Sequence, residues 1–512
     1  MSVKRVLVIA GSDSSGGAGL EADQRVLAAH GCYALTATTG LTAQNTLGVQ
    51  DIFVVPSEFV RKQINAGLED VGTDVVKLGM LSSAETIDVI AETLQAHKVP
   101  AIVLDPVMVS TSGSQLLPEK AVEGLRLKLL PMTTILTPNI PEAQLLIKDS
   151  GSEAHEPADI NELIDLAKRI CSLGPKAVLL KGGHLPLTKD HKVARTPEES
   201  TTVIDVLYDG ETSTTTLFET DYLVSKNTHG TGCSLASAIS ANLAMGKDMI
   251  RAVRSAVRFV EAGIKTSVDL GKGSGPINHF HSIYTMPFAP GRFLEYIMDR
   301  PDVQGAWEKF TKHDFVEGMG QGTLPVERFK EYLVQDYLYL VQFARSNALA
   351  SYKSSNMDSI AASAQIVLHI KREMSLHLDY CASFGLSKKE MEASSETIAC
   401  TAYSRYILDV GQSEDWLALQ MALAPCLIGY GAIARRLHSD GNTLRDGNKY
   451  WKWIENYVAD DYTEAVRLGS ALLEGHVQKV SPSRLEELIR IFIRATELEI
   501  SFWDMGLSDQ KK

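Results

Sequence analysis

The chain has few cysteines for its length. Six are spread over 512 residues, and none of them stands in a Cys-x-x-Cys arrangement or recurs at a regular spacing. Thiols used in this way are typical of a reducing compartment, in which disulfides do not form. We therefore expect a cytoplasmic protein.

Positive charge is also scarce. The formal net charge is −13, the isoelectric point is about 5.5, and no basic cluster is interleaved with aromatic residues. Nucleic acid is therefore not an expected partner. The apolar run at residues 6–10, behind Lys4 and Arg5, is too short for a signal peptide or a membrane span, so we expect no membrane partner either.

The familiar nucleotide-binding loops are missing as well. Residues 6–10 have the pattern of a strand, residues 11–19 are rich in glycine, and a helical pattern follows them. No Gly-Lys-Ser/Thr completes a Walker A loop, and the G-x-G-x-x-G spacing of a dinucleotide loop is absent. We interpret residues 11–19 as a loop that covers a ligand.

The first half does contain an alternation of strands and helices. Short apolar runs at residues 75–78, 101–105, 135–137 and 177–180 alternate with amphipathic stretches. This pattern predicts an α/β fold with a doubly wound sheet. Such sheets bind ligands at the carboxyl ends of their strands, and Asp105, Asn139 and residues 181–183 are expected to meet there.

The sequence Asn-Thr-His-Gly-Thr-Gly-Cys at residues 227–233 precedes an apolar helical stretch. Amide groups at Gly230, Thr231 and Gly232 can point at a phosphate there, and the helix dipole favours negative charge. A thiol in this position is expected to have a lowered pKa, which would let Cys233 accept a proton from an attacking hydroxyl. The alternative is a glycine turn with a buried cysteine.

The pattern changes after two clusters of glycine and proline, at residues 271–276 and 286–291. Strand signals disappear beyond them, and long amphipathic helices follow, for example at residues 325–352 and 483–505. The sequence therefore predicts two domains, at residues 1–285 and 293–512, joined by a linker at 286–292. The second domain is expected to be all-α.

Seven stretches of the first half resemble the hydroxymethylpyrimidine/phosphomethylpyrimidine kinases (ThiD) of the ribokinase superfamily, in the order of that family. They lie at residues 10–23, 42–46, 77–80, 105–108, 137–142, 181–184 and 229–233. The resemblance implies a ribokinase-like sheet and an ATP-dependent phosphorylation of 4-amino-5-hydroxymethyl-2-methylpyrimidine (HMP) to its mono- and diphosphate. Most ribokinase relatives have aspartate at the position of the base, and Cys233 supports the narrower pyrimidine kinase assignment.

The resemblance also implies roles for single residues. Gln44 would recognise the pyrimidine, and Gly11, Asp23, Met80 and Val107 would complete its pocket. A second group of residues would bind Mg²⁺ and the phosphates of ATP: Asn139, Glu142, Lys181, Gly230, Thr231 and Gly232. Within this group, Glu142 would support the metal indirectly, through water. Two alternatives stay open, namely a loop-capping role for the Gln44 amide and plain core packing for Met80.

The second half resembles the TenA (thiaminase II) family over about residues 293 to 508. A Gln-Asp-Tyr segment, an Ala-Tyr element, a Pro-Cys-x-x-x-Tyr element and Glu-x-x-Phe-Trp-Asp-Met carry the resemblance. It implies a haem-oxygenase-like helical bundle, and the order of both halves is similar to that of the fungal HMP kinase/thiaminase II fusions. Homo-oligomers are common in both families, so we expect one here.

By this second resemblance Cys426 is the nucleophile, Glu499 the acid/base and Asp336 the residue that holds the aminopyrimidine. Four aromatic side chains would line the pocket: Tyr339, Tyr403, Tyr430 and Tyr457. The implied reaction is hydrolysis of aminomethylpyrimidine, or of thiamine, to HMP. The alternative is a helical module without catalysis, which would serve oligomerisation or pyrimidine binding.

Overall fold

The computed structural model describes residues 3–108, 117, 119–183, 185–355 and 357–508. His184, the last residue of one of the seven motifs, lies outside these residues. The chain divides into two compact units, Met1–Ile283 and Tyr284–Lys512. Each unit is described by itself below.

The first unit is an α/β fold built around one sheet. Its strands are β1 (Arg5–Asp13), β2 (Tyr33–Asn45), β3 (Gly48–Val54), β4 (Val75–Leu78), β5 (Ile102–Leu104), β6 (Ile135–Leu136), β7 (Ala177–Leu180), β8 (Thr202–Asp209) and β9 (Thr214–Asp221). Its helices are α1 (Gly19–Ala29), α2 (Ser57–Asp70), α3 (Ala84–His97), α4 (Glu119–Gly124), α5 (Ile140–Asp149), α6 (Ile160–Cys171), α7 (Thr231–Ala244) and α8 (Met249–Lys265).

The strand order along the sheet is β3-β2-β1-β4-β5-β6-β7-β8-β9. The six central strands run parallel, whereas β3, β8 and β9 pair antiparallel at the two edges. The predicted doubly wound sheet is therefore confirmed. The sequence analysis missed its antiparallel edges, because β9 exposes most of its polar residues and lacks the apolar run of a buried strand.

Strand β1 shows why helices cover both faces of the sheet. Leu7 and Ile9 belong to one hydrophobic core, and Val6 and Val8 belong to another. Because successive side chains of a strand point to opposite faces, an unbroken apolar strand must be buried on both sides. The polar residues that follow the parallel strands then meet at a single edge of the sheet.

The glycine cluster at residues 271–276 lies inside the first unit, before the expected linker at residues 286–292. The amide of Ser274 donates to the Thr46 carbonyl oxygen at 2.9 Å, and the amide of Gly273 donates to Thr46 Oγ1 at 3.1 Å. A Cβ on Gly273 would lie only 2.0 Å from the Thr46 carbonyl oxygen. Glycine is needed here for close packing against the β2–β3 turn, inside the first unit.

The second unit is helical, and no strand occurs among its described residues. Its helices are α9 (Phe293–Asp299), α10 (Pro301–Thr311), α11 (Asp314–Gln321), α12 (Val326–Lys353), α13 (Met357–Ser383), α14 (Lys388–Ala393), α15 (Ile398–Ser413), α16 (Trp416–Ser439), α17 (Trp451–Val458), α18 (Asp460–Val477) and α19 (Pro482–Leu507). The predicted all-α domain is confirmed. Pro482 occupies the first turn of α19, where proline has no hydrogen bond to lose.

Helix α16 is the hydrophobic centre of this unit. In the part of the chain that the structure describes, it alone is long and apolar enough to cross a membrane, and 78% of its most apolar stretch is buried. Pro425 lies inside the helix. Because proline has no N–H group, the turn before Cys426 lacks one helical hydrogen bond.

Candidate active sites

A cavity of about 760 Å³ opens at the carboxyl edge of the sheet in the first unit. It is lined by eleven of the residues that the sequence assigns to the kinase site: Gly11, Gln44, Met80, Val107, Asn139, Glu142, Lys181, Gly230, Thr231, Gly232 and Cys233. The strand ends and the start of α7 therefore bring both predicted groups, for the pyrimidine and for the phosphates, into one site.

Asp23 is the exception, and its predicted contact with the pyrimidine is corrected here. It lies on α1, is fully buried and does not line the cavity. Its Oδ2 accepts a hydrogen bond from Lys77 Nζ at 2.9 Å, and its Oδ1 accepts one from the Ser237 hydroxyl at 2.7 Å. Asp23 thus acts beneath the site, through Lys77.

Lys77 belongs to the motif at residues 77–80, and no role was predicted for it. It lines the cavity, although its side chain is fully buried. Burial works against its charge, but Asp23, Cys233 and Asp105 outweigh that effect and raise the pKa of Lys77. The site therefore contains a fixed ammonium group at neutral pH.

Cys233 lies in the first turn of α7, and Gly230 caps that helix in the left-handed conformation with φ of 80°. A Cβ at Gly230 would lie 1.9 Å from the Gly17 carbonyl oxygen, so the glycine loop and the helix start can meet only at a glycine. The first-turn amides of a helix have no partner within the helix and are available to an anion.

The expected lowering of the Cys233 pKa is wrong. Burial raises it to about 11, although Lys77 and the Gly19 amide act in the opposite direction. Two carboxylates nearby, Asp23 and Asp105, raise it further. Desolvation of the thiolate is the largest contribution to this shift.

The second charged group of the cavity consists of Lys181, Asp105 and Glu142. Lys181 Nζ lies 2.8 Å from Asp105 Oδ1 and 3.9 Å from Glu142 Oε2. Burial raises the pKa of Glu142 against the pull of Lys181. Asn139 and Glu142 also form a capping box that begins α5, so both have a structural role in addition to the predicted one.

The donor set around Glu142 fits a metal that is held mainly by phosphate and water. No group of three or more His, Cys, Asp or Glu side chains that could hold a metal ion occurs within the described ranges. Mg²⁺ needs no such cage, since it keeps several waters and uses one or two carboxylates together with substrate phosphates. Asp105 and Glu142 both line the cavity beside Lys181 and are the candidate carboxylates.

Asp13 and His229 form a further pair that the sequence analysis missed. Both line the cavity, and His229 Nε2 lies 2.7 Å from Asp13 Oδ2. Burial opposes ionisation of Asp13, but hydrogen bonds from His229 and Ser15 overcome it and lower its pKa to about 2. The pair therefore links the glycine loop, which contains Asp13, to the start of α7, which His229 precedes.

The site predicted for the second unit centres on Glu499, on α19. Its carboxyl group is buried and accepts hydrogen bonds from the hydroxyls of Tyr403, at 2.8 Å, and Tyr430, at 3.4 Å. Burial raises the pKa of Glu499 to about 8, and Asp336 adds to this, whereas hydrogen bonds from Tyr403, Tyr430 and Cys426 lower it. Glu499 is therefore protonated at neutral pH and can donate a proton.

The predicted tyrosines surround this carboxyl group. The rings of Tyr339 and Tyr403 stack with centroids 5.0 Å apart, and Tyr457 packs against Tyr430 at 5.3 Å. Burial raises the pKa of the Tyr339 hydroxyl, and Cys426, Tyr403 and Glu499 add to this effect.

Asp336 is buried on α12, and Cys426 is half-buried on α16. Both act electrostatically on the same tyrosines, since each raises the pKa of Tyr430.

Tyr332, one turn before Asp336, was missed by the sequence analysis. Its hydroxyl accepts a hydrogen bond from Trp453 Nε1 at 3.3 Å. In the sequence, the aromatic residues around Tyr332 gave it the pattern of a core residue.

Comparison with known proteins agrees with this division. The family model "Phosphomethylpyrimidine kinase" matches residues 13–278, and that of the "TENA/THI-4/PQQC family" matches residues 300–509. A putative hydroxymethylpyrimidine/phosphomethylpyrimidine kinase of Schizosaccharomyces pombe is 42% identical over 97% of this chain and 90% of its own. A hydroxymethylpyrimidine/phosphomethylpyrimidine kinase of Saccharomyces cerevisiae is 33% identical over 98% of this chain and 95% of its own.

Solved structures are similar to parts of the chain. The pyridoxal kinase of Staphylococcus aureus in complex with AMP-PCP and pyridoxal is 30% identical, with a TM-score of 0.47, over 55% of this chain and 95% of that one. The phosphomethylpyrimidine kinase of Clostridium difficile is 37% identical, with a TM-score of 0.42, over 51% of this chain and 99% of that one.

The buried Lys77–Asp23 pair leads to a prediction about stability. Lys77→Met should destabilise the first unit by about 3–5 kcal/mol, because it leaves the Asp23 carboxylate buried without its counter-charge. The double variant Asp23→Asn/Lys77→Met should recover most of this loss, since asparagine is neutral and still reaches Ser237. Urea-dependent hydrogen exchange of peptides from β1 and β4 measures the effect.

The second unit provides the internal control for this experiment. All five tryptophans lie at positions 307 to 503, so the unfolding transition seen by tryptophan fluorescence should stay where it is in the wild type. A single variant as stable as the wild type, or a double variant no better than the single one, would show that the loss does not come from an unpaired, buried Asp23 carboxylate.

Proposed function

The chain belongs to the phosphomethylpyrimidine kinase family and carries a TENA/THI-4/PQQC unit after the kinase unit, and from this premise we propose how its two sites act. The first unit is an HMP and HMP phosphate kinase of thiamine biosynthesis. The second unit hydrolyses aminomethylpyrimidine to HMP, with thiamine as the weaker candidate substrate. One observation supports the kinase assignment above all: Gln44, Lys181 and the first turn of α7 with Cys233 line a single cavity.

In the kinase unit, Gln44 contacts the aminopyrimidine ring, and Gly11, Met80 and Val107 shape its pocket. Gly11 lets the Met80 methyl group come close to the backbone, since a Cβ there would lie 2.2 Å from it. The amides of the α7 first turn and the ammonium group of Lys181 hold the phosphates of ATP. Phosphoryl transfer needs positioning and charge stabilisation above all, and these groups provide both.

Cys233 serves as the base for the substrate hydroxyl. With a pKa of about 11 it is a thiol at rest, so its thiolate is a rare but strong acceptor. Lys77 lies beside it as a buried cation held by Asp23, and it stabilises the negative charge while the proton moves. The Cys233 thiol must first lose its own proton to water, so only the small thiolate fraction of the enzyme can accept the proton of the substrate hydroxyl at neutral pH.

Mg²⁺, which neutralises the charge that develops between the phosphates, would be supported by Glu142 and Asp105 through water. The positive charge of Lys181 reduces the electrostatic repulsion between these two carboxylates and orients them towards the cavity. Asn139 fixes the turn from which Glu142 projects, through the capping box.

In the helical unit, Asp336 holds the aminopyrimidine and the Cys426 thiolate adds to C6 of the ring, while the adjacent ring nitrogen, already protonated, takes up the electron pair of the C6–N double bond. Protonated Glu499 gives its proton to the leaving amine, the bond from the methylene carbon to nitrogen breaks, and water takes the place of the amine. Expulsion of Cys426 then restores the ring. The reaction consumes one water and releases HMP and ammonia. Tyr339, Tyr403, Tyr430 and Tyr457 enclose the flat ring.

A kinase with a non-catalytic helical module is the second candidate. It would leave unexplained why Asp336, Cys426 and Glu499 act on one another inside one buried cluster of tyrosines. Burial of several titratable groups costs stability, and it is typical of catalytic sites. We therefore favour the bifunctional enzyme. From the sequence we further propose that it is cytoplasmic and that it forms a homo-oligomer.

The base assignment predicts the pH dependence of the kinase. The kcat/KM for HMP should rise with pH from 7 to about 10, because the thiolate fraction of a group with a pKa of about 11 grows throughout this range. Cys233→Ala should lower kcat by about two to four orders of magnitude and abolish the slope. Steady-state phosphorylation of HMP between pH 7 and pH 10 is the measurement.

Gln44→Ala is the matched control in the same cavity. It should keep the slope with pH and weaken HMP binding more than ATP binding, because it removes a hydrogen bond to the ring and none to a phosphate. A Cys233→Ala enzyme with unchanged turnover would end the assignment of the base.

The acid assignment gives a prediction for the helical unit. Release of ammonia from aminomethylpyrimidine should fall as pH rises through about 8, because Glu499 then loses the proton that it donates. Cys426→Ala should abolish this release and Glu499→Gln should impair it severely. A coupled ammonia assay between pH 6 and pH 9 measures both.

Cys400→Ser is the matched control, since Cys400 is a buried thiol of the same unit to which no catalytic step is assigned. It should retain ammonia release, and all three variants should retain kinase activity. If kinase activity fell together with ammonia release, the two units would be coupled, and the picture of independent sites would be wrong.

A further inference from the structure

The two phosphorylations of the kinase unit differ in whether the acceptor oxygen carries a proton. The hydroxyl of HMP must lose its proton when its oxygen bonds to the γ-phosphorus of ATP. A phosphate monoester has a second pKa of about 6, so HMP phosphate presents mostly ionised oxygens at neutral pH. The second transfer therefore needs no base, but it brings additional negative charge into the cavity.

Two cations and two carboxylates act on Cys233. Lys77 Nζ lies 2.9 Å from Asp23 Oδ2, and Lys181 Nζ lies 2.8 Å from Asp105 Oδ1. The first pair and Asp105 all act on the pKa of the Cys233 thiol, and Cys233 in turn acts on the pKa of Lys181. Because the two pairs balance, this cluster has no net charge as long as the thiol is neutral.

The rest of the cavity has no positive charge to spare. Among the described residues that line it, Lys77 and Lys181 are the lysines, and there is no arginine. Six carboxyl side chains line the same cavity: Asp13, Asp105, Glu142, Asp205, Asp221 and Glu261. Burial raises the pKa of Asp205 to about 6, which shows how costly a buried negative charge is there. A further permanent negative charge at position 233 would therefore be uncompensated.

We propose that Cys233 serves the two phosphorylations in two different states: its thiolate accepts the proton of the HMP hydroxyl, and its neutral thiol lets the anionic HMP phosphate react without a base. This inference rests on the proposed function, in which one cavity phosphorylates both substrates. Burial keeps the thiol neutral for most of the time, since it raises the pKa of Cys233 to about 11. A residue that is uncharged at rest thus allows one cavity to accept a hydroxyl and a phosphate.

The two transfers then differ in the fate of one proton. In the first, the O–H bond of HMP breaks, its proton goes to Cys233 Sγ, and its electron pair forms the bond to the γ-phosphorus. In the second, an ionised oxygen of HMP phosphate forms that bond with a lone pair, and no proton moves. In both, the bond from the γ-phosphorus to the bridging oxygen breaks, and ADP leaves with its electron pair. The first transfer returns one proton to water through Cys233, and the second returns none.

Cys233→Ala separates the two transfers, because alanine is neutral and cannot accept a proton. Full-length protein is given either HMP or HMP phosphate together with ATP and Mg²⁺, and initial rates of ADP release are measured. The kcat for HMP should fall by about two to four orders of magnitude, whereas the kcat for HMP phosphate should stay within about fivefold of the wild type. Cys171→Ser is the control, since Cys171 is a buried thiol of the same unit that does not line the cavity. It should leave both rates as they are.

Cys233→Asp and Cys233→Asn isolate the charge, because the two new side chains have nearly the same shape. The carboxylate is a base, so Cys233→Asp should phosphorylate HMP at least about tenfold faster than Cys233→Asn. The carboxylate also repels the phosphate of HMP phosphate, so with this substrate Cys233→Asp should be at least about tenfold slower than Cys233→Asn. A fixed charge at position 233 thus favours the first transfer and opposes the second.

Equal losses of both transfers in Cys233→Ala would overturn the proposal, because Cys233 would then be needed in the same way for both acceptors. Equal rates of Cys233→Asp and Cys233→Asn with HMP phosphate would overturn it as well, since the charge at this position would not matter to the second transfer. Wild-type protein that phosphorylates neither HMP nor HMP phosphate would instead refute the proposed function itself, so the two failures are distinct.

Discussion

The kinase site depends on a buried ion pair. Lys77 Nζ and Asp23 Oδ2 lie 2.9 Å apart, with both side chains fully buried. Taking two charges out of water is expensive, and the hydrogen bond from Ser237 helps to offset that cost. The result is an ammonium group that keeps its charge next to Cys233. Lys181, a second ammonium group that acts on Cys233, is already engaged by Asp105.

Both units use burial to raise the pKa of a group that transfers a proton. In the first unit burial raises the pKa of Cys233 to about 11, and a fixed cation makes deprotonation possible. In the second unit burial raises the pKa of Glu499 to about 8, and tyrosine hydroxyls hold the carboxyl group in place. Cys233 therefore becomes a proton acceptor only after it has lost its own proton, whereas Glu499 is already protonated and can act as an acid at neutral pH.

The parts of this picture that follow local patterns could be predicted from the sequence. Alternating apolar runs predict the parallel sheet, helical periodicity predicts the second unit, and the motifs bring Gln44, Lys181 and Cys233 together. Features that depend on contacts between distant segments could not be predicted from these local patterns. Asp23 and Lys77 are 54 residues apart, and only the packing of α1 against the sheet shows that Asp23 faces Lys77 instead of the ligand. The pKa of Cys233 likewise depends on how deeply α7 is buried, and the glycines at 271–276 resemble a linker until their contact with Thr46 is seen.

The central claim is that one chain produces HMP in its helical unit and phosphorylates it in its α/β unit. The most direct measurement is a time course with purified full-length protein, aminomethylpyrimidine, ATP and Mg²⁺, in which ammonia and all pyrimidine products are quantified by mass spectrometry. The account predicts ammonia and free HMP first, followed by HMP monophosphate and then the diphosphate. Phosphorylation of added HMP without any ammonia or phosphorylated product from aminomethylpyrimidine would contradict it.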